Sequence, residues 1–169
     1  MDKIKLVLPT KEHEEQVMDY KKEFELNGDA LHGSAGLLRA NSYDEWLRGL
    51  SIKTTQSGLV KSSQYLAIRI SDKKIVGMIN IRHSLNDYLL QFGGHIGYSV
   101  RKSERRKGYA TAMLRLALEK CKELGLEKVL VTCNKDNIAS AKTITGNDGI
   151  LENEVPEGER ITQRYWIEL

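Results

Sequence analysis

The stretch from Gly93 to Leu124 limits the choice of fold more than any other part of the chain. Gly93 to Val100 reads as a strand, Arg101 to Lys107 as a charged loop, and Gly108 to about Leu124 as a helix. The helix's apolar residues Met113, Leu114, Ala117, Leu118 and Cys121 stand at +3, +4, +7, +8 and +11 from Ala110, which lines them along one face. Gly125 supplies the left-handed residue that commonly ends such a helix. A strand leading through a tight basic turn into a one-faced helix belongs to a layered α/β architecture, with the helix laid on the sheet.

The rest of the chain supplies the other layers. Ile4 to Leu8 is a short strand closed by Pro9. Thr10, followed by Glu12, Glu14 and Glu15, caps a helix that runs to about Leu26. Asp29 to Ala40, with His32-Gly33-Ser34-Ala35-Gly36, is a loop. Ser42-Tyr43-Asp44-Glu45 reads as a capping box for a second helix through Trp46 and Leu50. Gln64 to Ile70 and Lys74 to Arg82 form a hairpin, and Ser84 to Leu89 is a loop. Beyond the long helix come the buried-type strand Val129-Leu130-Val131 and a helix capped by Asp136 or Asn137 that runs to about Thr145. The last hairpin, Ile150 to Val155 and Ile161 to Ile167, brackets Pro156 to Glu159. The order βαα, βββ, α, β, α, ββ predicts a single α/β (α+β) domain over residues 1–169. It has a mixed sheet of about seven strands and about four helices. Three consecutive strands argue against a doubly wound sheet.

Charge narrows the function. The chain carries a net charge of +3 over 169 residues. Arg101 to Lys107 alone holds five basic side chains and one acidic one, so the remainder is slightly acidic. A basic excess confined to one turn before a helix looks for a single anion. Free amides at a helix N-terminus, a glycine that admits close approach and flanking Arg and Lys point to a phosphate or pyrophosphate. The Gly-Lys-Ser/Thr ending of a Walker loop is missing, and so are the three spaced glycines of a dinucleotide fingerprint. A nucleic-acid surface is disfavoured, because the basic run is short and no recognition motif accompanies it. No apolar run approaches the roughly 18 residues of a membrane span, and the first residues lack a signal-peptide core. Two cysteines make no disulfide framework, and no Cys/His spacing matches a metal site. The expectation is a cytoplasmic protein with no membrane, nucleic-acid or metal partner.

The segment Arg105-Arg106-Lys107-Gly108-Tyr109-Ala110 resembles the Q/R-x-x-G-x-G/A signature of the GNAT N-acetyltransferases, which bind acetyl-CoA. Arg105, Gly108 and Ala110 fill its three defined positions. The resemblance extends along nearly the whole chain, since the family's element order matches the one above. Asn137-Ile138-Ala139-Ser140 is similar to the family's Asn-x-x-Ala/Ser helix start. His95-Ile96-Gly97-Tyr98 resembles the Glu-Ile-Gly-Tyr segment of ribosomal-protein-type members, with His in place of Glu.

The resemblance implies a sheet splayed between its fourth and fifth strands, near Ser99 and Val100 on one side and Thr132 and Cys133 on the other. Pantetheine would insert there. Arg101, Arg105, Arg106, Lys107, Gly108, Tyr109, Ala110 and Thr111 would surround the pyrophosphate, chiefly through the backbone amides of Arg106 to Ala110. The Val100 amide would polarise the thioester carbonyl, and Asn137 would contact the pantetheine arm. Two-fold dimers are common among such proteins.

Acetylating an amine demands that the ammonium lose a proton, that an oxyanion be held and that a thiolate leave. His95 stands where the ribosomal-type pattern has Glu and reads either as the base or as a structural histidine bonded to a neighbour. Many family members place a Tyr about seven residues after the Asn137 position, where this chain has Ile144. The thiolate then leaves unaided or through water, or Ser140 serves as its acid. His83 and His32 are placed to reach the acceptor, and each also reads as a surface histidine. His13 reads as a solvated helix residue, and Cys121 and Cys133 as packing residues. The acid-rich stretches 1–30 and 152–160 form a rim that would suit a cationic acceptor. The acceptor itself, a small-molecule or peptide amine, is not written in the sequence. A non-catalytic acyl-CoA sensor on the same fold is the competing reading.

Overall fold

The computed structural model describes residues 2–51 and 59–169. Seven strands make two sheets. The first is ordered β1-β2-β3-β4 and comprises β1 (Ile4–Val7), β2 (Ser62–Arg69), β3 (Ile75–Arg82) and β4 (Ile96–Val100). The second is ordered β5-β7-β6 and comprises β5 (Lys128–Asn134), β6 (Ile150–Glu157) and β7 (Arg160–Glu168). Every pairing within a sheet is antiparallel. The expected seven-strand sheet is thus present as two hydrogen-bonded halves parted at the expected place, with β4 and β5 neighbours but unladdered, and its ladders are antiparallel throughout.

Helices cover both faces. The helices α1 (Glu14–Asn27) and α2 (Tyr43–Leu50) bury Val17, Tyr20, Phe24, Tyr43 and Trp46 against Leu66, Ile68, Ile75 and Met78. On the other face, α3 (Tyr109–Glu123) buries its Met113, Leu114, Ala117 and Cys121 stripe against Ala67, Val76, Ile79 and Ile81. The same core continues into Val129, Val131, Tyr165 and Ile167 of the second sheet and Ile144 of α4 (Ile138–Thr145). One core running under both sheets holds them together where backbone bonds do not.

Several local expectations hold and others shift. Thr10 caps a short turn at Lys11–His13 ahead of α1. His13 completes that cap, because its Nδ1 accepts the Thr10 N–H at 2.9 Å. Ser42 caps α2, while the Glu45 carboxylate bonds the Asn41 N–H. Gly125 takes φ +84° after α3. The chain from Asp87 to Gly93, where a loop to Leu89 and a strand from Gly93 are expected, instead coils into a helical turn ending in Leu89–Gly93, and β4 begins only at Ile96. That turn packs on the second sheet, where Phe92 C=O accepts the Thr132 hydroxyl at 2.6 Å and Leu90 C=O accepts Arg164. Pro156 lies within β6, an edge strand, where its missing N–H costs no ladder bond. Trp46, Tyr43 and Trp166 pack or bond locally, the last donating to Glu152 at 2.9 Å.

Candidate active site

The site begins at the edge of β4. Arg82 N–H donates to His95 C=O at 2.7 Å, and Arg101 N–H donates to Val76 C=O at 3.0 Å. Bonded residues recur at every second position of an antiparallel pair, so the His95 carbonyl and the backbone groups of 97, 99 and 101 face β3. The N–H groups of Ile96, Tyr98 and Val100 therefore point the other way, toward β5. The gap on that side is stitched at one end only. His95 N–H donates to Leu130 C=O at 2.7 Å, and Leu130 N–H donates to His95 Nδ1 at 2.9 Å. Beyond this stitch no backbone bond joins β4 to β5 among the described residues, which leaves a wedge with unpaired donors along one wall.

His95 is thus the rivet of the wedge. It is buried, and both burial and the nearby Arg82 charge hold its pKa below the ordinary value. With Nδ1 accepting from Leu130, the neutral ring carries its proton on Nε2 and has no lone pair left for a base. Of the two readings of His95, the geometry supports the structural one.

The mouth of the wedge meets the N-terminus of α3. Arg106 and Gly108 both adopt left-handed backbone, at φ +63° and +85°, and Gly108 caps the helix with no side-chain bond. Such alternation curls the chain so that successive N–H groups converge, and the first turn of α3 adds its own unpaired amides. The backbone of Arg106 to Thr111 is therefore an anion cradle at a positive helix end.

The side chains around it are less free than the raw charge suggests. Arg101 is buried and faces α1, bonding Asp19 at 2.7 Å, Glu23 at 3.1 Å and the Ile75 carbonyl. It is not a cofactor ligand, because both its backbone and its guanidinium are already spent on β3 and α1. Ser99 is likewise turned away: its backbone faces β3 and its hydroxyl pairs with the buried Tyr20 at 2.9 Å. Arg105 Nε donates to the Val100 carbonyl at 2.8 Å, tying the loop to the strand end. Its Nη2 lies 3.2 Å from Asp29 Oδ2, a charge contact without hydrogen-bond alignment. Lys107 pairs with Glu104 at 2.9 Å. Burial would raise the Glu104 carboxyl, but Lys107 and Arg69 outweigh it and hold the group at about 2. The exposed Lys102 and Arg106 are the loop's unpaired cations. The Tyr109 ring is buried with its hydroxyl on Arg69, so only its backbone serves the cradle, beside half-buried Ala110 and Thr111.

On the α3 and α4 side, Tyr98 reaches from β4 to Ser140 on α4, hydroxyl to hydroxyl, at 2.5 Å. Burial pushes the Tyr98 phenol up to about 12, against the lowering effect of the Ser140 bond. Asn137 Oδ1 caps α4 through the Ser140 N–H at 3.1 Å, which leaves its amide NH₂ available. On the α1 and α2 side, the loop carrying His32 presses onto β4, where a Cβ on Gly33 would sit 2.3 Å from the Gly97 carbonyl oxygen. His32 is exposed, and its ring makes no hydrogen bond among the described residues. The His83 ring is committed to Ser63 Oγ at 2.7 Å. Cys133 is buried in the core with its Sγ on Gln163 Oε1 at 3.7 Å, as a packing residue is, and burial pushes its thiol up to about 11. Among the described residues no group of three His, Cys, Asp or Glu could hold a metal ion, and no helix is long and apolar enough to cross a membrane.

A wedge between β4 and β5 that opens onto a glycine-capped helix N-terminus matches a known domain. The profile described as Acetyltransferase (GNAT) domain aligns with residues 8–147. The chain belongs to the GNAT acetyltransferase family. This acetyltransferase is similar in fold to the microcin C7 self-immunity acetyltransferase MccE, solved with acetyl-CoA and AMP, at 17% identity and a TM-score of 0.73 over 100% of this chain and 94% of that one. It is similar to the ribosomal-protein-S5-alanine acetyltransferase of Vibrio fischeri, at 13% identity and a TM-score of 0.74 over 99% and 94%. A spermidine N-acetyltransferase chimera from Vibrio cholerae aligns at 13% identity and a TM-score of 0.66 over 98% and 95%. No curated protein matches the sequence.

Sequence reasoning passed over Tyr98 as a site residue and did not consider Arg82, Glu104 or Tyr20. Tyr98 alternates with Ile96 and Val100, so its phenol had the same signature as a core side chain. Tyr20 meets Ser99, and Glu104 meets Arg69, across long stretches of chain, and no local pattern marks those contacts.

Proposed function

We propose that this acetyltransferase moves an acetyl group from acetyl-CoA to a primary amine by direct attack on the thioester. The Val100 N–H carries this reading: it is a backbone donor on an unpaired strand edge, next to the cradle at the start of α3. Arg106 to Ala110 hold the pyrophosphate through their amides, with Thr111 and the exposed Arg106 side chain beside them. The Asn137 amide donates to the pantetheine arm. Val100 N–H donates to the thioester carbonyl and gains strength as that oxygen becomes negative, so it favours the transition state over the bound substrate.

Ser140 is the acid for the departing thiolate. Tyr98 positions the Ser140 hydroxyl and renews its proton. The ammonium proton leaves on the α1 and α2 side, where the exposed His32 imidazole lies on the loop against Gly97. The Tyr98–Ser140 pair weighs against a non-catalytic sensor. The internal pairing of Arg101, Arg105 and Lys107 weighs against nucleic acid, which would need those charges free. The direct test is release of free thiol from acetyl-CoA in the presence of an amine library. Acetyl-dependent release with some primary amines supports the reading, and tight acetyl-CoA binding without release for any amine would favour the sensor.

A further inference from the structure

Arg82 is the last residue of β3 and shares a face with Met78, the face of α1 and α2. Its Nη1 donates to the Gly93 and Gly94 carbonyls at 3.1 and 3.0 Å, which fixes the guanidinium plane. Its Nη2 lies 3.7 Å from where a Cβ on Gly97 would sit. The charge therefore stands over Gly97, beside His95, on the wall of β4 opposite to α3.

Four arginines of the described residues are at least half-buried: Arg69, Arg82, Arg101 and Arg164. Arg69 pairs with Asp72 and Glu104, Arg101 with Asp19 and Glu23, and Arg164 with Glu152. Arg82 pairs with no carboxylate among the described residues. The acids of the β6–β7 hairpin do not compensate it, since Glu152 is taken by Arg164, Glu154 by Lys135 and Gln163, and Glu157 by Tyr88 and Thr162. A guanidinium withdrawn from water without a counter-ion is costly, and burial holds its pKa below the usual value. Its Nη2 and Nε edge is left for a partner, and a guanidinium edge matches a carboxylate through two parallel bonds.

We propose that Arg82 receives a carboxylate of the acceptor, so that the substrate class is a primary amine that also carries a carboxylate. This rests on the acetyltransferase reading above. Gly97 lies three residues from Val100 along β4, roughly 10 Å at strand spacing. The amine and the carboxylate are therefore held well apart, as in an ω-amino carboxylate or a peptide, and not on one carbon. Of the acid rim that suggested a cationic acceptor, Asp19, Glu23, Glu152, Glu154 and Glu157 already face basic side chains, whereas the charge over Gly97 is the uncompensated Arg82.

The experiment compares a series of ω-amino carboxylates of increasing chain length, each with its ω-amino amide, by thiol release. The wild type favours the carboxylate over the amide by about 10- to 100-fold in kcat/KM at the best length, as charged hydrogen bonds of this kind allow. Arg82→Gln collapses that ratio toward unity through KM, while calorimetry still detects acetyl-CoA binding. Should Arg82→Gln fail to fold, Arg82→Lys keeps the charge without the fork and shrinks the ratio. Equal use of both partners by the wild type, or a ratio unchanged in the variant, overturns the proposal. Acetyl-CoA binding with no amine acetylated overturns the underlying reading and this proposal with it.

Discussion

The hydroxyls of Tyr98 on β4 and Ser140 on α4 meet at 2.5 Å. This contact joins two elements on the α3 side of the wedge and puts a phenol behind the hydroxyl assigned to the leaving thiolate. Ser140→Ala is expected to lower kcat about 100-fold, within the range of general-acid contributions. Tyr98→Phe is expected to lower it less. The double variant is expected to be no worse than Ser140→Ala, because the phenol acts through the serine. Steady-state kinetics with saturating acetyl-CoA check this, and additive losses would separate the two residues.

His95 is expected to matter for stability more than for proton transfer. His95→Ala leaves the buried Leu130 N–H without an acceptor, at a cost of about 1–3 kcal/mol. The folded His95 pKa is depressed, so the folded state binds fewer protons than the unfolded one below about pH 6.5. Its contribution is complete above that pH and is lost as pH falls through the folded value. Denaturant melts at pH 7.5 and 5.5 are therefore expected to show a smaller acid penalty in His95→Gln than in the wild type. A kcat/KM loss confined to the acidic limb of the pH profile would restore His95 as the base.

Glu104 anchors the phosphate loop from beneath, bonding Arg69 and Lys107 at 2.8 and 2.9 Å. Glu104→Gln takes the carboxylate from Lys107 and leaves Arg69 with the Asp72 carboxylate alone, and is expected to cost about 1–3 kcal/mol. The folded pKa of about 2 lies below the unfolded carboxyl value, so the contribution is present above about pH 4.3 and fades as pH drops toward 2. Acid titration of stability for both proteins checks the window.

Gly33 holds φ +69°, with Gly97 backbone where its side chain would be. Gly33→Ala forces the His32 loop off β4. It is expected to raise the KM for the acceptor severalfold while leaving acetyl-CoA affinity unchanged, because the cradle is on another part of the strand–helix unit. Calorimetry and acceptor kinetics together check the split.

The fold was largely legible because its signals are local. The helix stripe from Ala110 to Cys121, the Thr10 and Ser42 caps and the hairpin around Asp72 each announce themselves within a few residues. The phosphate cradle was legible for the same reason, since Gly108 follows a strand and opens a helix. What local pattern could not reveal was where charges go. Arg101 reads as part of a basic run, yet Asp19 and Glu23, about eighty residues earlier, turn it inward. His95 reads as a free imidazole until Leu130 approaches across the wedge. The turn at residues 87–93 was missed because the groups that hold it, Thr132 on the Phe92 carbonyl and Arg164 on the Leu90 carbonyl, lie 40 and 74 residues away in sequence.

The crystal structure of the acetyl-CoA complex tests the central claim most directly. The account predicts pyrophosphate oxygens within hydrogen-bond reach of the Arg106 to Ala110 amides, pantetheine in the wedge between β4 and β5, and the thioester carbonyl on the Val100 N–H. A cofactor bound outside the wedge, or a Val100 N–H left without that carbonyl, would contradict it.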